Sequence, residues 1–265
     1  MTRRRLDAEL VRRGLAATIA DARFAVDAGW VAISGVTATK TATLVADDAP
    51  VTVVAGTRNG FASRAGEKLA AALDRFGVDP SGRDCLDAGA STGGFTDCLL
   101  RRGAARVVAV DVGYGQLAWA LRSDARVRVL ERTNVRDLTR DLLGIVPNLV
   151  VADLSFVSLR GFVGTLARVA SPDADHIVLV KPQFEVRRDE VGAGGVVRDP
   201  SAWRRVVTEV MEAARAAGLE PLGIMASPLP GPAGNVEFPV HLSARSGSSP
   251  IDVEAAIRAG EELER

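Results

Sequence analysis

Lysine is the residue type in this chain that most suggests chemistry. Only three of its 33 basic residues are lysines, at Lys40, Lys68 and Lys181. Arginine keeps its proton in proteins, whereas a lysine amine can lose one. A lysine retained against such a bias therefore indicates a site that needs an amine, with chance retention as the alternative for any single position.

Strand-like apolar runs end in charged residues along the second part of the chain. We expect strands at 84–88, 106–111, 127–130, 148–153, 176–181, about 220–227 and 236–242. Helical segments alternate with them, which predicts a parallel sheet covered on both faces. Ligands bind such sheets outside the carboxyl ends of the strands, where Asp153 and Lys181 would meet. Lys68 lies in a helix predicted to precede the first strand.

Residues 84–111 have the pattern of a nucleotide-binding βαβ unit. The strand Cys85–Ala88 leads into a glycine-rich turn, a helix over 95–102 and a second strand that stops at Asp111. Asp111 follows Gly89 at the distance expected of an acid that binds a ribose diol. Ser91 replaces the second glycine of G-x-G-x-x-G, which admits a pyrophosphate. This favours S-adenosylmethionine over a dinucleotide, with a simple turn as the bland alternative.

Glu237 joins this set if the last strand is reversed. Seven strands fit the sheet of methyltransferases, in which the last strand runs antiparallel to its neighbours. A reversed strand starts where its neighbours end, so Glu237 would lie at the same edge as Asp153 and Lys181. An ordinary ion-pair cluster of the four charged residues is the alternative to a catalytic site.

Several motifs together resemble the TlyA family of ribosomal RNA 2′-O-methyltransferases, also called haemolysin-like proteins. They are Ser-Arg-Ala-Gly-Glu-Lys-Leu, Asp-Ala-Gly-Ala-Ser-Thr-Gly-Gly-Phe-Thr-Asp, Ala-Asp-Leu-Ser-Phe, Val-Lys-Pro-Gln-Phe-Glu and Gly-Gly-Val-Val-Arg-Asp-Pro. The resemblance covers essentially the whole chain. It implies a Rossmann-like seven-stranded α/β methyltransferase fold, FtsJ-like, at 63–265. It also implies transfer of methyl from S-adenosylmethionine to a cytidine 2′-hydroxyl of 16S or 23S ribosomal RNA.

The resemblance assigns roles to named residues. Lys68, Asp153, Lys181 and Glu237 resemble the Lys-Asp-Lys-Glu tetrad of FtsJ-type enzymes, with Lys181 as base or proton relay. Residues expected to bind the cofactor are Gly89, Ser91, Thr92 and Gly94 at the methionine moiety, Asp111 at the ribose, and Asn134 or Asp137 at the adenine edge.

Residues 1–57 are expected to form a separate α+β unit, joined by a linker at 58–62 with a hinge at Arg58–Gly60. Arg-Leu-Asp-x-x-Leu-Val-x-x-Gly-Leu resembles the S4-type RNA-binding domain, although its second helix lacks the usual Ser-Arg opening. Such domains hold phosphates with arginines. The expected RNA-binding residues are Arg3, Arg4, Arg5, Arg12, Arg13, Arg23, Arg64 and Phe184. A solvated arginine surface, and a packing role for Phe184, are the alternatives.

The charged, glycine-rich segment 183–200 is expected either to cover the site as a mobile lid or to form a surface loop. Cys85 and Cys98 are expected as buried thiols, and two histidines without ligand spacing argue against zinc. The chain shows no signal peptide and no apolar run that could span a bilayer. We therefore expect a cytoplasmic, monomeric protein that acts on ribosomal RNA or ribosomal subunits.

Three other functions remain possible from the residues alone. One is a non-catalytic RNA-binding or ribosome-assembly protein with a vestigial cofactor site, which an intact set of four charged residues disfavours. Another is a membrane-lytic protein, which the haemolysin name suggests. The third is an NAD-dependent enzyme, which Ser91 disfavours.

Overall fold

The structure, a computed structural model, describes residues 3–16, 18–27, 30–53, 61–245 and 251–264. The chain divides into two compact units, Met1–Arg64 and Ala65–Arg265. The hinge expected at Arg58–Gly60, and a short tether expected at Ser246–Pro250, lie outside the described residues.

The first unit packs two helices against short strands. Its elements are β1 (Arg3–Arg5), α1 (Leu6–Arg12), α2 (Ile19–Asp27), β2 (Val31–Ile33), β3 (Val36–Thr37), β4 (Leu44–Ala46) and β5 (Val51–Val53). Leu6 and Leu10 of α1 are fully buried against Val31 and Val45. The sequence pattern placed Arg3–Arg5 with the helices, and this was wrong. They form a strand antiparallel to β4, because backbone pairing with Leu44–Ala46 is available there.

A tight hairpin turn connects β2 and β3. Ser34 and Gly35 both have positive φ, 51° and 81°, as the two central residues of a type I′ turn require. The expected Ser34–Gly35 turn is therefore present. β2 pairs on its other side with β5, which gives a three-stranded sheet.

The second unit is a seven-stranded sheet with helices on both faces. Its elements are α3 (Ala65–Phe76), β6 (Asp84–Ala88), α4 (Gly94–Arg101), β7 (Arg106–Val110), α5 (Trp119–Arg122), β8 (Val127–Leu130), α6 (Arg140–Leu143), β9 (Leu149–Ala152), α7 (Val163–Val169), β10 (Asp175–Val180), α8 (Pro182–Glu185), α9 (Pro200–Ala216), β11 (Glu220–Ile224), β12 (Phe238–Ser243) and α10 (Val253–Leu263). Short 3₁₀ helices cover Val135–Asp137, Leu159–Gly161, Arg188–Glu190 and Ala193–Gly195.

The strand order is β11-β12-β10-β9-β6-β7-β8, and β12 is antiparallel to both of its neighbours. This confirms the α/β methyltransferase fold and the reversed last strand. β9 and β10 are buried throughout, as expected of central strands covered on both faces. Trp203 of α9 packs on Phe238 of β12 in the largest apolar cluster of the unit.

Several strand boundaries differ from the sequence prediction by one to three residues, and the largest differences are in the last two strands. β11 ends at Ile224 rather than near 227, because a β-bulge between Pro221 and Gly223 bends it. β12 begins at Phe238, so Glu237 immediately precedes the strand instead of lying within it. Its backbone carbonyl still accepts a hydrogen bond from Ser227 N, which keeps the residue aligned with the sheet.

Candidate active site

Charged side chains collect at one edge of the sheet, where the parallel strands end. Asp153 follows β9, Lys181 follows β10, and Glu237 precedes the reversed β12. Val180 pairs directly with Phe238, so Lys181 and Glu237 are the next residues across from each other. Lys68, on the first turns of α3, reaches the same edge through its contact with Glu237.

The Lys181 ammonium is held by two oxygens from the segment after β9. Its Nζ lies 2.5 Å from Asp153 Oδ1 and donates to Ser155 Oγ at 2.8 Å. The Lys181 side chain is 10% exposed and that of Asp153 is 18% exposed. A short opening thus connects the amine to solvent, as a site that receives a substrate hydroxyl requires.

Lys68 and Glu237 form a second, more deeply buried pair. Lys68 Nζ donates to Glu237 Oε2 at 2.6 Å, and Glu237 is 1% exposed. A Cβ added at Gly231 would lie 2.5 Å from Glu237 Oε1. The turn before β12 therefore needs a residue without a side chain at this position, so that the carboxylate can face Lys68.

A cavity of about 410 Å³ adjoins this edge at the ends of β6, β7 and β9. Asp111 forms part of its wall. Its Oδ2 accepts from Ser91 N at 2.8 Å and its Oδ1 from Gly113 N at 2.7 Å. Each carboxylate oxygen can accept a further hydrogen bond, which suits a ribose diol. Gly89 has φ +89°, and a Cβ there would lie 2.6 Å from Asp153 O, so only glycine fits this turn.

Four of the seven expected cofactor-binding residues line the cavity, and three do not. Ser91 and Asn134 line the cavity together with Gly89 and Asp111. Thr92 and Gly94 do not line it, because the chain turns into α4 at Gly93, which Leu117 and Leu121 cover. Asp137 is exposed at the end of its 3₁₀ helix and does not line it either.

The sequence model of the family described as FtsJ-like methyltransferase matches residues 61–244, which include this whole site. The chain belongs to the FtsJ-like methyltransferases. The 16S/23S rRNA (cytidine-2′-O)-methyltransferase TlyA of Mycobacterium tuberculosis is 55% identical over 236 residues, 89% of this chain and 88% of that protein. Hemolysin A of Brachyspira hyodysenteriae is 35% identical over 89% of this chain and 98% of its own length. These relatives confirm the TlyA resemblance.

A solved structure of a candidate hemolysin from Streptococcus thermophilus is also similar to this FtsJ-like chain. It superposes with a TM-score of 0.75 at 35% identity, covering 100% of this chain and 96% of the other. The similarity therefore extends over both units.

FtsJ-like methyltransferases use S-adenosylmethionine, and the cavity fits this cofactor. Asp111 offers free acceptor capacity, Gly89 permits close approach of the backbone, and the remaining wall is largely apolar. When bound, the cofactor supplies an electrophilic methyl group. Among the described residues, no three His, Cys, Asp or Glu side chains are grouped as metal ligands would be.

Sequence reasoning missed most of the cavity wall of this FtsJ-like domain. The missed residues are Val112, Gly113, Gln116, Thr133, Val135, Leu154, Ser155, Phe156, Val157 and Phe162. Phe156 is 87% exposed and has φ 64°, which is uncommon for a non-glycine residue. The motif Ala-Asp-Leu-Ser-Phe, which carries Ser155 and Phe156, was the one available signal.

Asp87 is a buried acid that the sequence did not single out. Its Oδ2 accepts from Thr96 Oγ1 at 2.6 Å, and no hydrogen bond to Oδ1 occurs within the described residues. The pKa of Asp87 is raised to about 7, first by burial and also by the nearby charge of Asp153, against the hydrogen bond from Thr96. A protonated Asp87 avoids a second negative charge close to Asp153.

Segment 183–200 is attached at two points. Glu185 is buried and bonded to Ser158 and Leu159. Asn235, beside Glu237, accepts from Val197 N at 2.9 Å and donates to Gly195 O at 2.9 Å. The segment is neither a wholly free lid nor a wholly solvated loop, since both of its ends are hydrogen-bonded to residues next to the site.

The arginines of the first unit surround two buried acids. Glu9 is ion-paired with Arg12 at 2.5 Å, Arg13 at 2.6 Å and, more distantly, Arg4. Asp7 in the same way pairs with Arg5 at 2.8 Å and Arg23 at 3.2 Å. These contacts lower the pKa of Asp7 and Glu9, first through the hydrogen bonds from Arg5 and Arg12 respectively. Arg3 and Arg64 are exposed.

Among the described residues, no helix is both long enough and apolar enough to cross a membrane.

Proposed function

We propose that this FtsJ-like methyltransferase methylates the 2′-hydroxyl of a ribose, that of a cytidine, in 16S or 23S ribosomal RNA. The observation that carries the proposal is the pair of buried lysine–acid contacts beside the cofactor cavity. The name of the Mycobacterium tuberculosis relative, a 16S/23S rRNA (cytidine-2′-O)-methyltransferase, supports the substrate.

The reaction needs a group that accepts a proton. A ribose hydroxyl is a weak nucleophile, so its proton must leave as its oxygen bonds to the methyl carbon. In our proposal the unprotonated amine of Lys181 takes that proton, and the bond from the methyl group to sulfur breaks at the same step. The proton that Lys181 takes up must leave to solvent before the next turnover.

The three other residues hold and tune this amine. Asp153 and Ser155 fix the position of Lys181 Nζ with two contacts. Lys68 adds a second positive charge to the same edge of the sheet through its contact with Glu237. Glu237 fixes Lys68, which is then placed to donate a hydrogen bond to the ribose. Positioning of the hydroxyl in line with the methyl group contributes further to the rate.

Arginines and aromatic rings are proposed to hold the RNA. The arginines of the first unit and Arg64 would bind phosphates. The ring of Phe156 packs against Phe184 at 5.1 Å between centroids. Phe156 is the more exposed of the two, so it presents the free face on which a base can stack, while Phe184 supports it. In this proposal the enzyme acts as a cytoplasmic monomer.

Transfer of labelled methyl from S-adenosylmethionine to unmodified ribosomal subunits tests this function. Nucleoside digestion should give a labelled 2′-O-methylcytidine, and none with the Lys181→Ala variant. Label on a base would overturn the assignment of the hydroxyl as nucleophile. No label on free RNA or either subunit, despite S-adenosylhomocysteine binding, would overturn the catalytic function itself.

A further inference from the structure

Glu185 connects the two chain segments that carry the site. It ends α8, four residues after Lys181, and is 5% exposed. Its Oε1 accepts from Leu159 N at 2.6 Å, and its Oε2 accepts from Ser158 Oγ at 2.6 Å. Both donors belong to the segment that follows β9. The carboxylate therefore joins the residues after β10 to the residues after β9.

Arg160 strengthens this connection from the same segment. Its Nε donates to Glu185 Oε2 at 3.2 Å, and its Nη2 donates to the Glu185 carbonyl at 3.0 Å. Its Nη1 donates to the more exposed Glu209 at 2.5 Å. Two hydrogen bonds from Arg160 and two from its neighbours thus converge on one residue.

The segment held in this way contains the partners of the Lys181 amine. It is fixed at its start, where Asp153 N donates to Ala88 O at 2.9 Å, and at its end by Glu185. Between these points lie Ser155, which accepts from Lys181, and Phe156 with its positive φ. A strained residue persists only where the surrounding structure holds it. The position of Ser155 thus depends on both attachments.

Stability is a poor explanation for this acid. Burial raises the pKa of Glu185 in spite of the hydrogen bonds that lower it. The folded protein therefore holds the ionised carboxylate at a cost in free energy. Removing it would not strand a buried charge, because Arg160 is 38% exposed and keeps Glu209. Buried ionic groups of this kind often add little to the free energy of unfolding.

We propose that Glu185 is a positioning residue for methyl transfer, acting through segment 153–160 to place Ser155 against the Lys181 amine and to shape the cavity wall at Leu154–Val157. The role of the amine rests on the function proposed above, whereas the placement of the segment does not. Glu185 itself touches neither the proposed substrate nor the cofactor cavity.

The test compares Glu185→Gln and Glu185→Ala with Glu209→Gln, which changes the outer partner of Arg160 and a longer contact with Arg205 but leaves Glu185 in place. Amide exchange at Leu159 should speed up in Glu185→Ala and stay unchanged in Glu209→Gln. We expect kcat to fall by about tenfold to 100-fold in Glu185→Ala, because misplacement by about 1 Å can cost this much. In Glu185→Gln, which keeps an oxygen that can accept from Leu159 N, kcat should fall less. KM for RNA should change less than kcat, because the arginines proposed to bind RNA phosphates lie outside segment 153–160.

The pH profile separates positioning from simple support of the fold. Glu185→Ala should shift the pH dependence of kcat in the same direction as Ser155→Ala, and the double variant should shift it no further. Equal loss of activity at every pH, or full additivity of the two variants, would overturn the proposal. If Lys181→Ala retained activity, the proposed role of Lys181 as base would fail, although methyl transfer itself would stand. Faster amide exchange at Leu159 and weaker binding of S-adenosylhomocysteine in Glu185→Ala would still show that Glu185 places the segment.

Discussion

The Lys181 amine and an Asp153 carboxylate oxygen lie 2.5 Å apart, and the two residues directly follow adjacent parallel strands. Hydrogen bonds between β9 and β10 therefore fix the spacing of their backbones. Only the two side chains add freedom to the pair, and that of Lys181 is held at its end by Asp153 and Ser155. An amine held from the sheet in this way is well suited to catalysis, because rigid elements position reacting groups more accurately than loops do.

Lys181→Ala should abolish methyl transfer while leaving cofactor binding intact. A positioned general base contributes on the order of 10² to 10⁴ to the rate, and Lys181 does not line the cofactor cavity. Calorimetry with S-adenosylhomocysteine and transfer of labelled methyl measure the two properties separately.

Lys181→Arg is the matched variant, since it keeps a positive charge beside Asp153 but cannot supply a neutral amine. It should be inactive as well. Activity in Lys181→Arg would show that charge alone suffices and would contradict the role of Lys181 as base.

Gly231→Ala should disturb the Lys68–Glu237 pair by crowding Glu237 Oε1, whereas Lys68 contacts Oε2. The added methyl would lie 2.5 Å from Glu237 Oε1, so the carboxylate must move away from its contact with Lys68. We expect a loss of about 1–3 kcal/mol in the free energy of unfolding, typical of overpacking, together with a lower kcat. Gly164→Ala is the control, because a Cβ there meets nothing within 4 Å. Unchanged kcat in Gly231→Ala would contradict a role for the pair.

Asp87 should make the free energy of unfolding fall as pH rises. Its folded pKa of about 7 lies above an ordinary value near 3.9, so between these values the unfolded chain has lost a proton that the folded chain keeps. The free energy of unfolding therefore decreases as pH rises from about 4 to about 7, by at most about 1.4 kcal/mol per pH unit, and this effect is constant above about 7.

Asp87→Asn removes that effect, and its oxygen can still accept from Thr96. Urea unfolding of both proteins at several values between pH 5 and pH 8 measures the difference. Burial lowers the pKa of His176 to about 4, which raises stability with pH, but His176 is common to both proteins and cancels. A difference that is independent of pH would rule out a protonated Asp87.

Replacing Arg12 and replacing Arg13 should change the free energy of unfolding by different amounts, although the two residues are neighbours. Arg13 donates to the carbonyls of Ala46, Asp47 and Ala49 as well as to Glu9, so Arg13→Ala should cost about 1–3 kcal/mol in the free energy of unfolding. The side chain of Arg12 is 46% exposed and pairs with Glu9, so Arg12→Ala should cost less than Arg13→Ala.

The salt dependence of RNA binding tests whether Arg12 contacts a phosphate. If Arg12 binds a phosphate, Arg12→Ala reduces the slope of log K against log salt by about one. Salt titrations of RNA binding measure this slope. Equal slopes for wild type and Arg12→Ala would remove Arg12 from the RNA-binding surface.

The sheet and its charged edge could be predicted from the sequence because both follow from local patterns. Apolar runs that stop at Asp111, Asp153 and Lys181 identify strand ends, and parallel strands bring their ends together. Glu237 needed one more step, the reversal of β12, which the resemblance to methyltransferases supplied. Its position just outside the strand could not be predicted, because strand ends depend on tertiary pairing.

The cavity wall was harder to predict, since loops carry no periodicity. Ser155 and Phe156 face the site because segment 153–160 is bent by a positive φ and held by Glu185, and neither feature has a sequence pattern. Arg12 and Arg13 look equivalent in the sequence. Only the turn after β4 shows that one of them supports the fold.

The long separation between Lys68 and Glu237 has a consequence for synthesis of the protein. The two partners are 169 residues apart, and β12, which Glu237 precedes, inserts between β10 and β11. The cavity, by contrast, is lined by residues between Gly89 and Phe162. A chain emerging from the ribosome therefore contains every cavity residue well before it can complete both lysine–acid pairs. If the proposed mechanism holds, catalytic competence is acquired only once β12 is in place, and chains truncated before Glu237 are expected to be inactive toward RNA.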